Sequence, residues 1–144
     1  MARLSPRLYR QVATRARDRC EYCGLPQEAE VMDLTVDHVV PRAGQGSTEL
    51  SNLALACLAC HSRKWKFTQS TDSLTGRQVP LDDPRRQRWQ DHFRWIDDDL
   101  TRIEGKTATG RATVELLQMN SRRAVQIRRW LMFVGLHPLH ETES

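Results

Sequence analysis

Long apolar runs are missing from this 144-residue chain. No stretch of about 18 apolar residues occurs, so no transmembrane helix is expected. The opening residues, MARLSPRLYRQ, lack the apolar core of a secretory signal. The expected location is therefore the cytoplasm. Lysine is scarce, with three residues against 19 arginines. Internal repeats and low-complexity tracts are absent as well. Cysteine is sparse: there are only four, and all four fall in two pairs. In a reducing compartment such pairs are metal ligands more often than disulfides. The length suits a single domain over 1–144 with a modest core.

Charge is unevenly spread. Residues 1–19 hold six arginines, Arg3 among them, against Asp18, a net of +5. Residues 20–61 hold six acids against Arg42, a net of −5, and residues 62–94 return to +4. An acidic centre between basic arms suits a metal site that meets a polyanion. Solvated helix faces would carry the same charges. Arginine's planar fork grips phosphate with two prongs, which tilts the reading toward nucleic acid. A GC-rich genome would also raise the arginine count.

Local signals place a helix after Ser5-Pro6, running to about Arg17 with Leu8, Val12 and Ala16 on one face. Cys20-Glu21-Tyr22-Cys23-Gly24 reads as a tight turn whose glycine takes positive φ. Met32 to Val40 is β-prone, and Pro41 ends its pairing. Arg42 to Ser51 reads as a loop and Leu58 to Lys66 as a short helix. Thr68 to Asp83 reads as irregular. Trp89 to Trp95 and Leu100 to Glu104 form a candidate hairpin across Asp97-Asp98-Asp99. Arg111 to Met119 and Ser121 to Val134 read as helices, and the tail after Gly135 as loose. Leu116, Leu117, Ala124, Ile127, Trp130, Leu131 and Val134 are expected in the core. Arg122, Arg123, Arg128 and Arg129 fall at helical spacing and could face DNA.

Two C-x2-C turns, Cys20/Cys23 and Cys57/Cys60, offer the four thiolates of a tetrahedral zinc site. The 33 residues between the pairs leave room for a hairpin and a loop. A redox C-x-x-C would explain one pair and not the other, and the βαβ context it needs is missing. Zinc bound here would be folding free energy, on the order of 10 kcal/mol.

Inside that clamp lie Asp37, His38 and Asn52, and His61 follows the last cysteine. Phosphodiester hydrolysis needs an activated water and a means of neutralising charge on the phosphate and leaving oxygen. A histidine near neutral pKa suits the first task. A divalent ion held by a carboxylate and an imidazole suits the second. Neighbours on a strand point to opposite faces, so Asp37 and His38 share a site only near the strand end. These groups could instead only buttress the zinc site, with His61 as a spare ligand.

The text CEYCG followed by VDHVVPRAGQGSTELSNLALACLACHSRK resembles the HNH endonucleases, a family with a ββα-metal fold. The core of the resemblance runs from about residue 18 to 67. TGRQVPLDDPRRQRWQDHFRW and TGRATVELLQMN resemble a C-terminal extension, about 68–137, found in a bacterial branch of that family. The resemblance implies an α+β fold: a ββα-metal core clamped by a four-cysteine zinc site, with an N-terminal helix and a helical C-terminal extension. It implies His38 as general base and Asn52 orienting His38 through a carbonyl. It also implies Asp37 and His61 as ligands of a catalytic Mg2+ or Mn2+, beside structural Zn2+ on the cysteines. Many members carry asparagine where this chain has His61, and Gly-Gly where it has Gly44-Gln45-Gly46.

Arg42, Arg63 and Lys64 flank the site as candidate phosphate contacts. Trp65 and Phe67 could stack on a base, though packing of the helix onto the body is favoured. His92, in a run of aromatics, reads as a satisfied core histidine rather than a ligand. The expected function is metal-dependent cleavage of DNA. The alternatives are a zinc-stabilised nucleic-acid-binding module that does not cut, and a nuclease acting on RNA.

Overall fold

A computed structural model describes residues 4–138. Arg3 of the basic arm and the last residues of the tail lie outside them. Ser5 caps the first helix, α1 (Pro6–Arg15), its Oγ accepting the Leu8 amide at 3.1 Å, and Pro6 opens the first turn. Val12 is fully buried on its inner face. The helix stops short of Arg17, which takes a positive φ of 55°.

The centre is β1 (Thr35–His38) paired antiparallel with β2 (Leu53–Ala56), followed by α2 (Leu58–Lys64). This is the ββα order the resemblance implies. All four residues of β2 are buried, so it is the strand on which the rest packs. Tyr9 and Arg15 of α1 fasten across the pair, to the carbonyls of Leu34 and Leu53 respectively. The connecting loop contains two short helical turns, Arg42–Gly44 and Leu50–Asn52. The strand is shorter than the β-prone stretch, because Pro41 and the loop take over directly after His38.

The segment expected to be irregular holds a small hairpin, β3 (Gln69–Thr71) with β4 (Gln78–Pro80). Asp72, fully buried, accepts Arg111 on both carboxylate oxygens, at 2.8 and 3.1 Å, which gives this polar hairpin its anchor. A single helical turn, α3 (Trp89–His92), leads into β5 (Phe93–Ile96), which pairs with β6 (Asp99–Gly105) across Asp97-Asp98. Two helices close the fold, α4 (Ala108–Leu116) and α5 (Arg122–Phe133), the latter capped by Ser121. His92 meets the Thr107 hydroxyl at 2.6 Å, as a satisfied histidine should.

One apolar cluster joins Val12, Leu34, Leu53, Leu55, Phe93, Ile103, Leu117 and Met119, so the extension shares its core with the ββα unit. Three expectations for the C-terminal part are overturned. Trp130 and Val134 are exposed rather than in the core. Arg128 is buried rather than on an outer stripe, and its Nη1 donates to the Thr101 carbonyl at 2.8 Å. The start of the tail is docked: His137 bonds the Leu100 carbonyl at 2.7 Å and stands edge-on to Trp95. No helix among the described residues is long and apolar enough to cross a membrane.

Candidate active site and metal centre

The two cysteine turns converge. The four sulfurs of Cys20, Cys23, Cys57 and Cys60 lie within 4.8 Å of one another. Cys23 Sγ and Cys57 Sγ are 3.7 Å apart, far beyond a disulfide bond and matching the edge of a tetrahedron with metal–sulfur bonds of about 2.3 Å. Each turn folds its own amide onto its first sulfur: Cys23 N–H to Cys20 at 3.5 Å and Cys60 N–H to Cys57 at 3.4 Å. Gly24, at φ 81°, lets the first turn close, with its amide on the Cys20 carbonyl. Hydrogen bonds from Cys20, Cys23 and Cys60 push the Cys57 thiol down in pKa, while burial holds Cys20, and hydrogen bonds from its cysteine neighbours hold Cys60, well above the usual thiol value. These residues could hold a metal ion such as zinc.

The first turn is tied to β2 by a two-way pairing of Glu21 with Leu55, through the Glu21 amide and its carboxylate. Trp89 Nε1 donates to the Tyr22 carbonyl at 2.8 Å, so the extension holds the same turn from the other side. The sulfurs therefore fix the start of α2 relative to the β1 end, where the second group of residues sits.

Asp37 faces inward from β1 and is 1 % exposed. Its Oδ2 accepts the Tyr22 hydroxyl at 2.7 Å and lies 3.0 Å from Lys64 Nζ. Burial and the Asp37 charge hold Tyr22 well above the ordinary tyrosine pKa, so it stays a donor. Oδ1 looks toward His61 Nδ1 at 3.5 Å. That nitrogen is buried and has no hydrogen-bond partner, while the His61 side chain as a whole is 38 % exposed. An orphaned nitrogen beside a carboxylate oxygen suits a shared divalent ion, whose adjacent ligand atoms stand about 3 Å apart at bonds of about 2.1 Å. Asp37 and His61 thus fit the ligand set expected of them.

His38, half-buried at the end of β1, directs Nε2 at the Thr48 hydroxyl, 3.0 Å away. Burial, and next the Arg42 guanidinium, lower its pKa below the usual histidine value and favour the neutral ring. Asn52 does not supply the carbonyl for that ring. Its Oδ1 accepts the Val40 amide at 2.9 Å, and its Nδ2 donates to the carbonyls of Val40 (3.0 Å) and Ser47 (2.8 Å). Its own backbone carbonyl takes the Val39 amide. Asn52 is a clamp that folds the glycine loop onto the strand end carrying His38. Gly46 is required there, because a Cβ at that position would stand 1.7 Å from the Val40 carbonyl oxygen.

Residues 20–67 match the family model described as HNH endonuclease. The chain carries an HNH endonuclease domain. A curated relative, the CRISPR-associated endonuclease Cas9 of Corynebacterium diphtheriae, is 42% identical over 55 residues, or 38% of this chain and 5% of that protein. The chain thus spans a small part of the relative's length. No solved structure matches.

Two phosphate-contact candidates of the HNH domain are corrected by the geometry. Lys64 is 1 % exposed, and its ammonium is spent on Asp37 and on the carbonyls of His38 and Val39. Arg63 is half-buried and gives Nη1 to the Leu117 carbonyl at 3.0 Å, tying α2 to the extension. Arg42 alone of the three is exposed. Tyr22, Thr48 and Lys64 are the site residues whose roles the sequence reading missed. Tyr22 lies between two of the clustered cysteines, which is a positional hint; nothing in spacing marks the other two.

Proposed function

We propose that this protein is a metal-dependent endonuclease that hydrolyses phosphodiester bonds in DNA. The observation that carries the reading is the unpartnered His61 Nδ1 facing Asp37 Oδ1 at 3.5 Å, beside His38, inside an HNH domain. A divalent ion such as Mg2+ or Mn2+ on that pair would neutralise charge on the scissile phosphate and the departing 3′ oxygen.

The chain's own residues supply the rest. His38 takes the proton of the attacking water; its Nε2 contact to Thr48 orients the ring and leaves the other nitrogen for that proton. Asn52 holds the loop that carries Thr48. Tyr22 and Lys64 fix Asp37 from behind, so its free oxygen keeps one direction. Arg42 is placed to meet a phosphate, and the four cysteines take a structural Zn2+. The reading takes residues 1–144 as one domain acting in the cytoplasm, where such thiols stay reduced. The basic arms on either side of the acidic core favour a nucleic-acid substrate.

Incubation of purified protein with supercoiled plasmid tests this. Mg2+ or Mn2+ should support nicking or linearisation, and chelator should stop it. His38→Ala should slow cutting by about 10²–10⁴-fold while zinc content and thermal midpoint hold. Cutting by His38→Ala at the wild-type rate would overturn the assigned mechanism.

A further inference from the structure

Trp65 and Phe67 lie outside the buried core. They are 59% and 43% exposed, so a large part of each ring faces solvent. Their rings meet edge to face at a centroid distance of 5.7 Å, and Lys66 Nζ lies 4.3 Å from the Trp65 centroid. The backbone at Trp65 is strained, at φ 47° and ψ −118°, a region that a bulky side chain rarely enters. The turn at the end of α2 leaves two large rings partly in solvent, an arrangement that folding alone does not favour.

The position of the pair is specific. The Trp65 amide donates to the His61 carbonyl at 2.9 Å, so the rings begin one helical turn, roughly 6 Å, from the residue that faces Asp37. The segment Ser62 to Phe67 carries three cations and no acid. One of them, Lys64, is committed inside and another, Arg63, is partly so, but Lys66 is exposed, as is Arg42 across the site. Flat rings with an exposed ammonium, set in positive surroundings beside a hydrolytic centre, match the chemistry of an unpaired base and its phosphate. A protein partner would gain from the rings, but the surrounding cations and the adjacent His61 favour the polyanion.

We propose that Trp65 and Phe67, with Lys66, form a stacking platform for an unpaired base of the DNA strand being cut. The preferred substrate is then DNA with a locally single-stranded or unstacked nucleotide beside the scissile phosphate. This inference rests on the endonuclease reading above.

The test uses the full chain carrying His38→Ala, so that binding is measured without cutting. Fluorescein-labelled single strands, gapped duplexes and intact duplexes are titrated with this protein and with added Trp65→Ala, Phe67→Ala or Trp65→Tyr. Each alanine change should weaken single-strand and gapped binding about tenfold and move duplex binding less than about twofold. Trp65→Tyr should retain most of the affinity. A 2-aminopurine in the gap should be quenched by the parent and released by Trp65→Ala. Zinc content checks the fold of each variant, and Phe67→Ala serves if Trp65→Ala does not fold.

Unchanged single-strand affinity in both alanine variants overturns the platform, as does an equal loss on duplex and single strand. Tighter binding of an RNA strand of the same sequence overturns the DNA assignment. Wild-type plasmid cutting is read in parallel. Cutting together with unchanged affinities removes the platform alone, whereas neither cutting nor DNA binding removes the endonuclease reading with it.

Discussion

Cys60 and His61 are neighbours on α2, yet their side chains belong to two clusters of opposite construction. The cysteine site is closed: four sulfurs point at one another, three of the cysteines are at most 3 % exposed, and backbone amides bond two of the sulfurs. Arg128, 4 % exposed, is the buried cation whose charge is coupled to all four cysteines. The Asp37–His61 pair is open on one side. One oxygen of its carboxylate is held by Tyr22 and Lys64, but the other is not, and its imidazole is partly in solvent and keeps an unpartnered nitrogen. A complete ligand shell holds a metal for structure, and an incomplete one leaves room for substrate. Two successive residues of one helix, about 100° apart around its axis, can therefore divide the two roles.

The largest expected effect belongs to the closed site. Cys57→Ser should lose zinc and folded structure together, since metal binding of this kind is worth on the order of 10 kcal/mol of folding; metal analysis and far-UV circular dichroism check it. A folded, zinc-free variant would erase the distinction drawn between the sites. Next comes Lys64→Met, which leaves the Asp37 carboxylate buried without its ammonium. Unfolding in urea should show a loss of about 3 kcal/mol, and Mn2+ should restore part of it by taking Lys64's place near the carboxylate.

A smaller effect is expected from Arg128→Met. Competition with a zinc chelator should show about tenfold weaker zinc retention, with Mn2+ binding at the open site unchanged. Equal weakening of both metals would show that the sites are not independent. The smallest effect concerns Asp82, 2 % exposed, whose Oδ1 has no partner and whose charge lies near Tyr22. Burial, and then Asp83, push its carboxyl up to about 7. The folded chain thus holds this proton where the unfolded chain has lost it. The contribution to stability is present below about pH 4 and is lost as pH rises toward 7. Asp82→Asn should flatten that decline in urea midpoints measured from about pH 5 to 7.5.

Much of this was legible without coordinates, where the signal is local. The Ser5-Pro6 cap, the Cys20–Gly24 turn and the hairpin from Phe93 to Gly105 each depend on a few adjacent residues, although Trp89–His92, expected in its first strand, form a helical turn instead. What failed needed partners far along the chain. The β3–β4 hairpin is polar and short, and it is held by Arg111, 39 residues beyond Asp72. Lys64 looked like a surface cation because nothing in SRKWKF announces a buried carboxylate on β1. Arg128 looked like its exposed neighbours Arg122, Arg123 and Arg129 because charge alone does not say which face packs. Trp65 and Phe67 were read as packing residues because large rings usually are.

The sequence by itself marked out the four cysteines as a group that could hold a metal and named the residues expected to react. Two C-x2-C turns bring soft ligands together by short-range geometry, and an Asp-His pair at a strand end needs only its neighbours to be recognised. The tertiary structure alone decided which atoms are free to act. It spends Lys64 and Tyr22 on one oxygen of Asp37, turns Asn52 from the His38 ring to the loop, and leaves His61 Nδ1 unpartnered. The physical reason is that most buried polar groups take a partner wherever the fold supplies one, so the few left without one stand out, and the fold assigns those partners across long sequence distances.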